Sequence, residues 1–182
     1  MSTDAYTSTC SKFERLCPRL VPKPLWGVSI AKLVRMKAGK LASLGLGVEV
    51  AEKLKNFWFS LPRGKCAVCG SKASDVDELW YYYMDAGRGV ARLVSLRSLC
   101  SRCHLAKHIG RASEIGRFEE ALKHLAEVNG ITIQHARILL VGVYSIWEEL
   151  SSINTWRVEI SEGVLPEDIR VSVENALNRL LE

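Results

Sequence analysis

The sequence predicts a mainly helical α+β chain, and three observations predict it. Apolar residues recur at helical spacing over most of the length. A β-prone run at 80–84 and an alternating run at 90–96 flank DAGRG at 85–89, which reads as the turn of a hairpin. Two Cys-x-x-Cys pairs, CAVC at 66–69 and CSRC at 100–103, stand on either side of that hairpin.

Taken in order, residues 1–24 mix Ser and Thr with Pro18, Pro22 and Pro24 and read as an extended basic arm, partly disordered. Residues 25–62 read as N-terminal helices. Ser29 stands where it would cap a basic amphipathic helix, with Ile30, Leu33, Val34 and Leu41 on one stripe and Lys32, Arg35, Lys37 and Lys40 around the rest, ending near Gly39. After Gly45 and Gly47, the spacing of Val50, Leu54, Phe57 and Trp58 predicts a second helix that Pro62 stops; Phe57, Trp58 and Phe59 are expected to pack under the cysteine module. Residues 63–112 form that module, which Arg63, Gly64 and Lys65 lead into. Residues 113–182 read as a C-terminal helical scaffold with one short strand. Ser113 is expected to cap a helix bearing Ile115, Phe118, Leu122 and Leu125, ended by Asn129 and Gly130. Thr132 starts the next, with Ala136, Leu139, Leu140, Val143, Trp147 and Leu150 as its stripe. A strand over Trp156 to Ile160 and a last helix opened by Pro166, with Ile169, Val173, Leu177 and Leu180 on one side, complete the chain.

The cysteine pairs carry the first chemical inference. Each pair can form a tight knuckle, Gly70 allows the turn that brings backbone amides round to the first, and the residues between let the knuckles meet around one ion. Cys66, Cys69, Cys100 and Cys103 are therefore the expected ligands of a structural zinc. The second pair runs into HLAKH. On a helix beginning near Cys103, His104 and His108 are four residues apart and leave one face, so both imidazoles can serve a second metal. His124 and His135 have no metal-ligand neighbours in sequence and read as structural or solvent-facing.

The closing stretch LCSRCHLAKHIGRA resembles the HNH endonuclease family, whose pattern is a first Cys-x-x-Cys, a β-hairpin carrying an acidic or small residue and a catalytic histidine, and then Leu-Cys-x-x-Cys-His-x-x-Lys. PLWGVSIAKL at 24–33 is similar to the Pro-Leu-Trp-Gly leader of one HNH-like group, and DELWYY, LAEVNGIT and the region from Trp147 to Trp156 resemble its later landmarks. The resemblance spans roughly residues 20 to 160 and implies a ββα-metal module embedded among scaffold helices.

One departure bears on function. Aligning Glu78 and Trp80 with the group's Cys-His-Glu and spaced Trp puts Val76 and Asp77 where the cysteine and histidine belong. Aligning VDEL at 76–79 with the broad family's Val-Asp-His-Ile makes Asp77 the metal carboxylate and puts Glu78 in the place of the base. Neither register supplies a histidine. In the family that histidine deprotonates the attacking water, a contribution of roughly 10²- to 10⁴-fold, while a divalent ion (Mg, Mn, Ni or Zn) stabilises developing charge. The resemblance thus implies Asp77, Glu78 and His104 as catalytic candidates and Asp77, His104 and His108 as a second metal set. It implies a zinc-stabilised nucleic-acid-binding protein impaired or inactive in cleavage. Two alternatives stay open: an active metal-dependent endonuclease using Asp77 or Glu78 as base, and a structural zinc protein of a ribonucleoprotein particle such as the ribosome.

Charge fits a nucleic-acid partner, DNA or RNA. The net charge of +5 is uneven: residues 1–65 hold 12 Lys and Arg against 4 Asp and Glu, 66–110 hold 6 against 4, and 111–182 hold 7 against 12. Arg88, Arg92, Arg97 and Arg102, with Lys107 behind them, are the expected phosphate contacts. No apolar run approaches a membrane span, the first residues are polar, and the six cysteines do not resemble a secreted disulfide framework. A cytoplasmic protein is expected, with Cys10 and Cys17 left over as free thiols or as a pair. Walker, Gly-x-Ser-x-Gly and dinucleotide motifs are absent, which argues against nucleotide hydrolysis and dehydrogenation.

Overall fold

The computed structural model describes residues 3–61 and 64–182. Pro62, Arg63, Met1 and Ser2 lie outside the described residues, and with them the expected helix stop at Pro62, the start of the lead into the first knuckle, and the first residues of the arm. The architecture is mainly helical α+β with a small three-stranded sheet. The chain forms two compact units. One draws on residues 3–22, 64–77 and 97–152, the other on 23–61, 78–96 and 153–182.

In the first unit, α1 (Thr7–Cys10), α5 (Ser101–Lys107), α6 (Ile109–Glu114), α7 (Phe118–Val128) and α8 (Ile133–Ser151) pack around a core that includes Ile109, Leu122, Leu125 and Val143. Helix α8 starts where Thr132 accepts the His135 amide N–H, as its residue type predicts. The helix expected from Ser113 is broken: Ser113 lies in the last turn of α6, Gly116 takes a φ of +71°, and α7 starts afresh at Phe118. Gly116 can take a left-handed conformation without a Cβ clash, so the apolar period continues across a turn.

The N-terminal segment is not an extended arm. Tyr6, Phe13, Leu16 and Leu20 are buried, and Cys10 is disulfide-bonded to Cys17 with their Cα atoms 5.2 Å apart. Asn129 holds the segment: its Oδ1 accepts the Arg15 and Leu16 amides at 2.8 and 3.0 Å, and its Nδ2 donates to Leu16 O at 2.9 Å. The Trp147 indole N–H donates to Val21 O, and the Tyr6 hydroxyl donates to Leu20 O. These apolar residues follow no helical period, so composition alone reads as disorder although each has a buried place.

The second unit holds α2 (Ile30–Arg35), α3 (Ala38–Ser43), α4 (Val48–Ser60), α9 (Glu167–Arg179) and β3 (Trp156–Ile160). Ser29 caps α2 by accepting the Lys32 amide, as its position predicts. The single helix expected to end near Gly39 is two, α2 ending at Arg35 and α3 running on to Ser43, because Met36 and Lys37 are extended. Both pack on α4 through Ile30, Leu33, Val34 and Leu41. Trp58 is buried while Phe59 is exposed.

The hairpin consists of β1 (Asp75–Asp85) and β2 (Arg88–Leu99). Ala86 and Gly87 both have positive φ, the two-residue primed turn that matches strand twist. β3 joins β2 in parallel, Gly89 to Leu93 against Trp156 to Ile160. Its other edge is satisfied by α9: Asn178 accepts Val158 N–H and donates to Val158 O, and Glu174 accepts Ile160 N–H. The hairpin ends that carry Asp77 and Arg97 belong to the first unit.

Candidate metal centre and the adjoining polar cluster

The first knuckle is a turn closed by Gly70 N–H donating to Cys66 O and Cys66 N–H donating to Ser71 O, with Gly70 at a φ of +75°. Ala67 N–H donates to Ser98 O and Ser74 N–H to Leu99 O, which ties this turn to the end of β2. The second pair opens α5: Cys100 is the N-cap, and its Sγ accepts the Cys103 amide at 3.4 Å. None of the four thiols is in a disulfide.

The four sulfurs lie within 4.8 Å of one another, and Cys69 Sγ is 3.7 Å from Cys100 Sγ. Zinc bound tetrahedrally by thiolates at about 2.3 Å separates its sulfurs by about 3.8 Å. The set fits a metal such as zinc. Electrostatics point the same way. Burial opposes ionisation of Cys69, yet hydrogen bonds with Ser71 and Cys100 bring its thiol down to about 6. Burial raises Cys103, and the neighbouring thiols raise it further. One negative charge suppresses the next, a conflict that a bound cation removes.

His124 is the residue that sequence reasoning missed. It is buried on α7, which packs on α5, and its Nε2 is 3.2 Å from Cys103 Sγ. Its Nδ1 is 3.4 Å from Glu127, which pairs with Arg102. Of the two expected places for His124, structural or solvent-facing, the structure gives the first, and it sets the ring against one of the four cysteines. No local motif could have revealed it, because the contact depends on how α7 lies on α5.

Beside the sulfurs, the structure brings Asp77, His104 and His108 together. The rings of His104 and His108 are 4.8 Å apart edge to face, and their Nε2 atoms lie 4.0 and 3.6 Å from Asp77 Oδ1. The three side chains offer ligand atoms within 4.8 Å of one another. The Asp77 carboxylate is already engaged: Arg97 Nε donates to Oδ2 at 2.8 Å, and the buried Lys107 ammonium donates to Oδ1. Burial would raise this carboxyl, but His108, Lys107 and Arg97 outweigh it and hold it far below the usual range. Burial lowers both histidines, favouring neutral rings. A cation here would share Asp77 with two positive charges, which weakens the site as a metal cage.

Glu78 is not part of this cluster. Adjacent strand residues face opposite ways, and its carboxylate instead accepts Ile30 N–H at 3.1 Å, Ala31 N–H at 2.8 Å and Trp80 Nε1–H at 3.0 Å.

The chain finds no match among family models, curated proteins or solved structures.

Of the expected phosphate contacts, Arg88 is exposed at the hairpin turn. Arg92 pairs with Glu159 and lies over the Tyr83 ring, and Arg102 pairs with Glu127. Arg97 and Lys107 hold Asp77. Lys107 is corrected most clearly, since its buried ammonium faces a carboxylate and not solvent. Glu159 and Glu127 reach their arginines only through the fold; the Arg92–Glu159 pair is half-buried, while the exposed Arg102–Glu127 pair is worth little and exchanges readily. No helix among the described residues is long and apolar enough to cross a membrane.

Proposed function

We propose that this chain is a zinc-stabilised nucleic-acid-binding protein built on an HNH-like scaffold and without efficient phosphodiester cleavage. The observation that carries the reading is the pairing of Asp77 with Lys107 and Arg97 beside a four-cysteine set, His104 on α5 and His108 at the cap that ends it. The layout fits the HNH resemblance, in which a zinc knuckle, a hairpin carboxylate and a Cys-His helix meet. Cleavage would need a free carboxylate for a metal and a base for water. Asp77 is neutralised by two cations, and Glu78 is committed to backbone amides and an indole. Basic composition and exposed arginines support a polyanionic partner.

The test combines binding and cleavage. Full-length protein is mixed with labelled DNA and RNA at low salt, and plasmid and RNA integrity are followed with Mg²⁺, Mn²⁺, Ni²⁺ and Zn²⁺. Salt-sensitive binding without nicking is the expected result. Nicking that His104→Ala abolishes would overturn the loss of cleavage, and failure to bind either polymer would overturn the nucleic-acid reading.

A further inference from the structure

From Arg15 to Val48 the sequence has seven lysines and arginines and no aspartate or glutamate. Five of them, Lys23, Lys32, Arg35, Lys37 and Lys40, are exposed, and they lie within the second unit: Lys23 on the short 3₁₀ turn Lys23–Leu25, Lys32 and Arg35 on α2, Lys37 in the extended link before α3, and Lys40 on α3. Ile30, Leu33, Val34 and Leu41 take the opposite side of these helices into the packing on α4. Lys32, Arg35 and Lys40 therefore leave the helices outside that packing.

Trp26 stands in the same stretch and is 60% exposed. A large aromatic left in water beside lysines is a poor core residue and a good stacking platform. Gly27, the residue after Trp26, has a φ of +87°, and the Lys32 ammonium crowds the place where a Cβ would lie, so this cation folds back over the backbone that follows the tryptophan. The segment is also held in place, since Ser29 caps α2 and Glu78 accepts its first amides. A fixed helix presents its charges without the ordering cost a loose arm would carry.

We infer that this face binds single-stranded nucleic acid, with Lys23, Lys32, Arg35, Lys37 and Lys40 taking backbone phosphates and Trp26 stacking on a base. The inference rests on the nucleic-acid reading above and moves the main contact from the hairpin arginines to α2 and α3. Phosphate contacts set affinity and salt dependence, while the indole favours bases that are unpaired and free to stack. In a duplex the base faces are already stacked.

The test is fluorescence anisotropy of the full chain with labelled oligothymidylate, oligouridylate and a DNA duplex over a salt series. The triple variant Lys32→Gln, Arg35→Gln, Lys37→Gln is expected to lose at least about ten-fold in affinity and to flatten the salt slope by about 2, at about 0.7 per phosphate contact. Trp26→Ala is expected to lose about ten-fold on the single strands only, with Trp26→Phe retaining most binding. Comparison of the thymidylate and uridylate arms distinguishes DNA from RNA as the ligand. If the wild type binds and the triple variant and Trp26→Ala bind equally well, while Arg88→Gln with Arg102→Gln does not, this inference fails and the proposed function stands. Equal losses on duplex and single strands for Trp26→Ala would overturn the stacking assignment. A wild type that binds none of the three would overturn the proposed function itself. Circular dichroism of each variant separates lost binding from lost folding.

Discussion

The Glu78 carboxylate accepts the backbone N–H of Ala31 at 2.8 Å, so a strand side chain closes the first turn of α2. With the Ile30 amide and the Trp80 indole also donating, it carries three hydrogen bonds and is nearly buried. Glu78→Ala would leave these donors without their partner. The expected cost is about 3 kcal/mol, combining a lost cap with unsatisfied buried N–H groups. Urea unfolding measures it; an unchanged midpoint would mean the carboxylate does not hold the helix.

Asp77 and Lys107 form a buried pair that Arg97 completes. Asp77→Ala strands the buried Lys107 charge and is expected to cost about 3–5 kcal/mol, while Lys107→Ala leaves Asp77 its Arg97 partner and should cost less. The double variant should cost much less than the sum, because neither charge is then left alone. Additive losses in denaturant titrations would argue against a coupled pair.

Elemental analysis of protein purified without chelator should find a single zinc ion per chain. Cys66→Ser and Cys103→Ser should lose it and unfold the knuckle, since metal binding and local folding are linked. His124→Ala should keep the stoichiometry and weaken affinity by about ten-fold, as loss of a partner to a ligating group does. Competition with a chromophoric chelator reads this out, and an unchanged affinity would remove His124 from the site's support.

Glu159 supplies part of the pH dependence, beside the more strongly lowered Asp77. Burial would raise its carboxyl, but hydrogen bonds from Arg92, Arg157 and Tyr83 outweigh burial and lower it. A carboxylate whose folded value lies below its unfolded value of about 4.3 stabilises fully above that pH and loses the contribution as pH falls through the lowered value. Thermal midpoints should therefore decline below about pH 4.3, and Glu159→Gln should flatten that part of the decline. An identical profile for the variant would show that another group governs it.

The Cys10–Cys17 disulfide closes a short loop, seven residues apart in sequence. By loop-closure entropy a bridge of this size contributes about 2.5 kcal/mol. Replacing both cysteines by serine should lower the thermal midpoint while leaving zinc content unchanged. The double replacement avoids reductants, which would also act on the four-cysteine set.

Much of this was legible because it is local. The paired cysteines, the four-residue spacing of His104 and His108, the Ser29 and Thr132 caps, the hairpin turn, β3 and α9 each depend on neighbours a few residues away. The breaks at Met36 and Gly116 were not legible, because the apolar period continues across them. Nor was the N-terminal segment: Tyr6, Phe13, Leu16 and Leu20 follow no repeat, and the partners that hold the segment, Asn129 on Arg15 and Leu16 and Trp147 on Val21, lie more than a hundred residues away.

By itself the sequence determined the helical α+β class and the positions of the paired cysteines and of His104 and His108, since periodicity and close spacing act through the backbone alone. Tertiary structure decided which charges are spent. It set Lys107 and Arg97 on Asp77, turned Glu78 toward α2, placed His124 against Cys103 and gave Arg92 and Arg102 their carboxylates. These partners lie from 20 to 67 residues apart in sequence. A charge's partner is the group that packing brings within a few ångströms, and packing distances are not written in sequence separation.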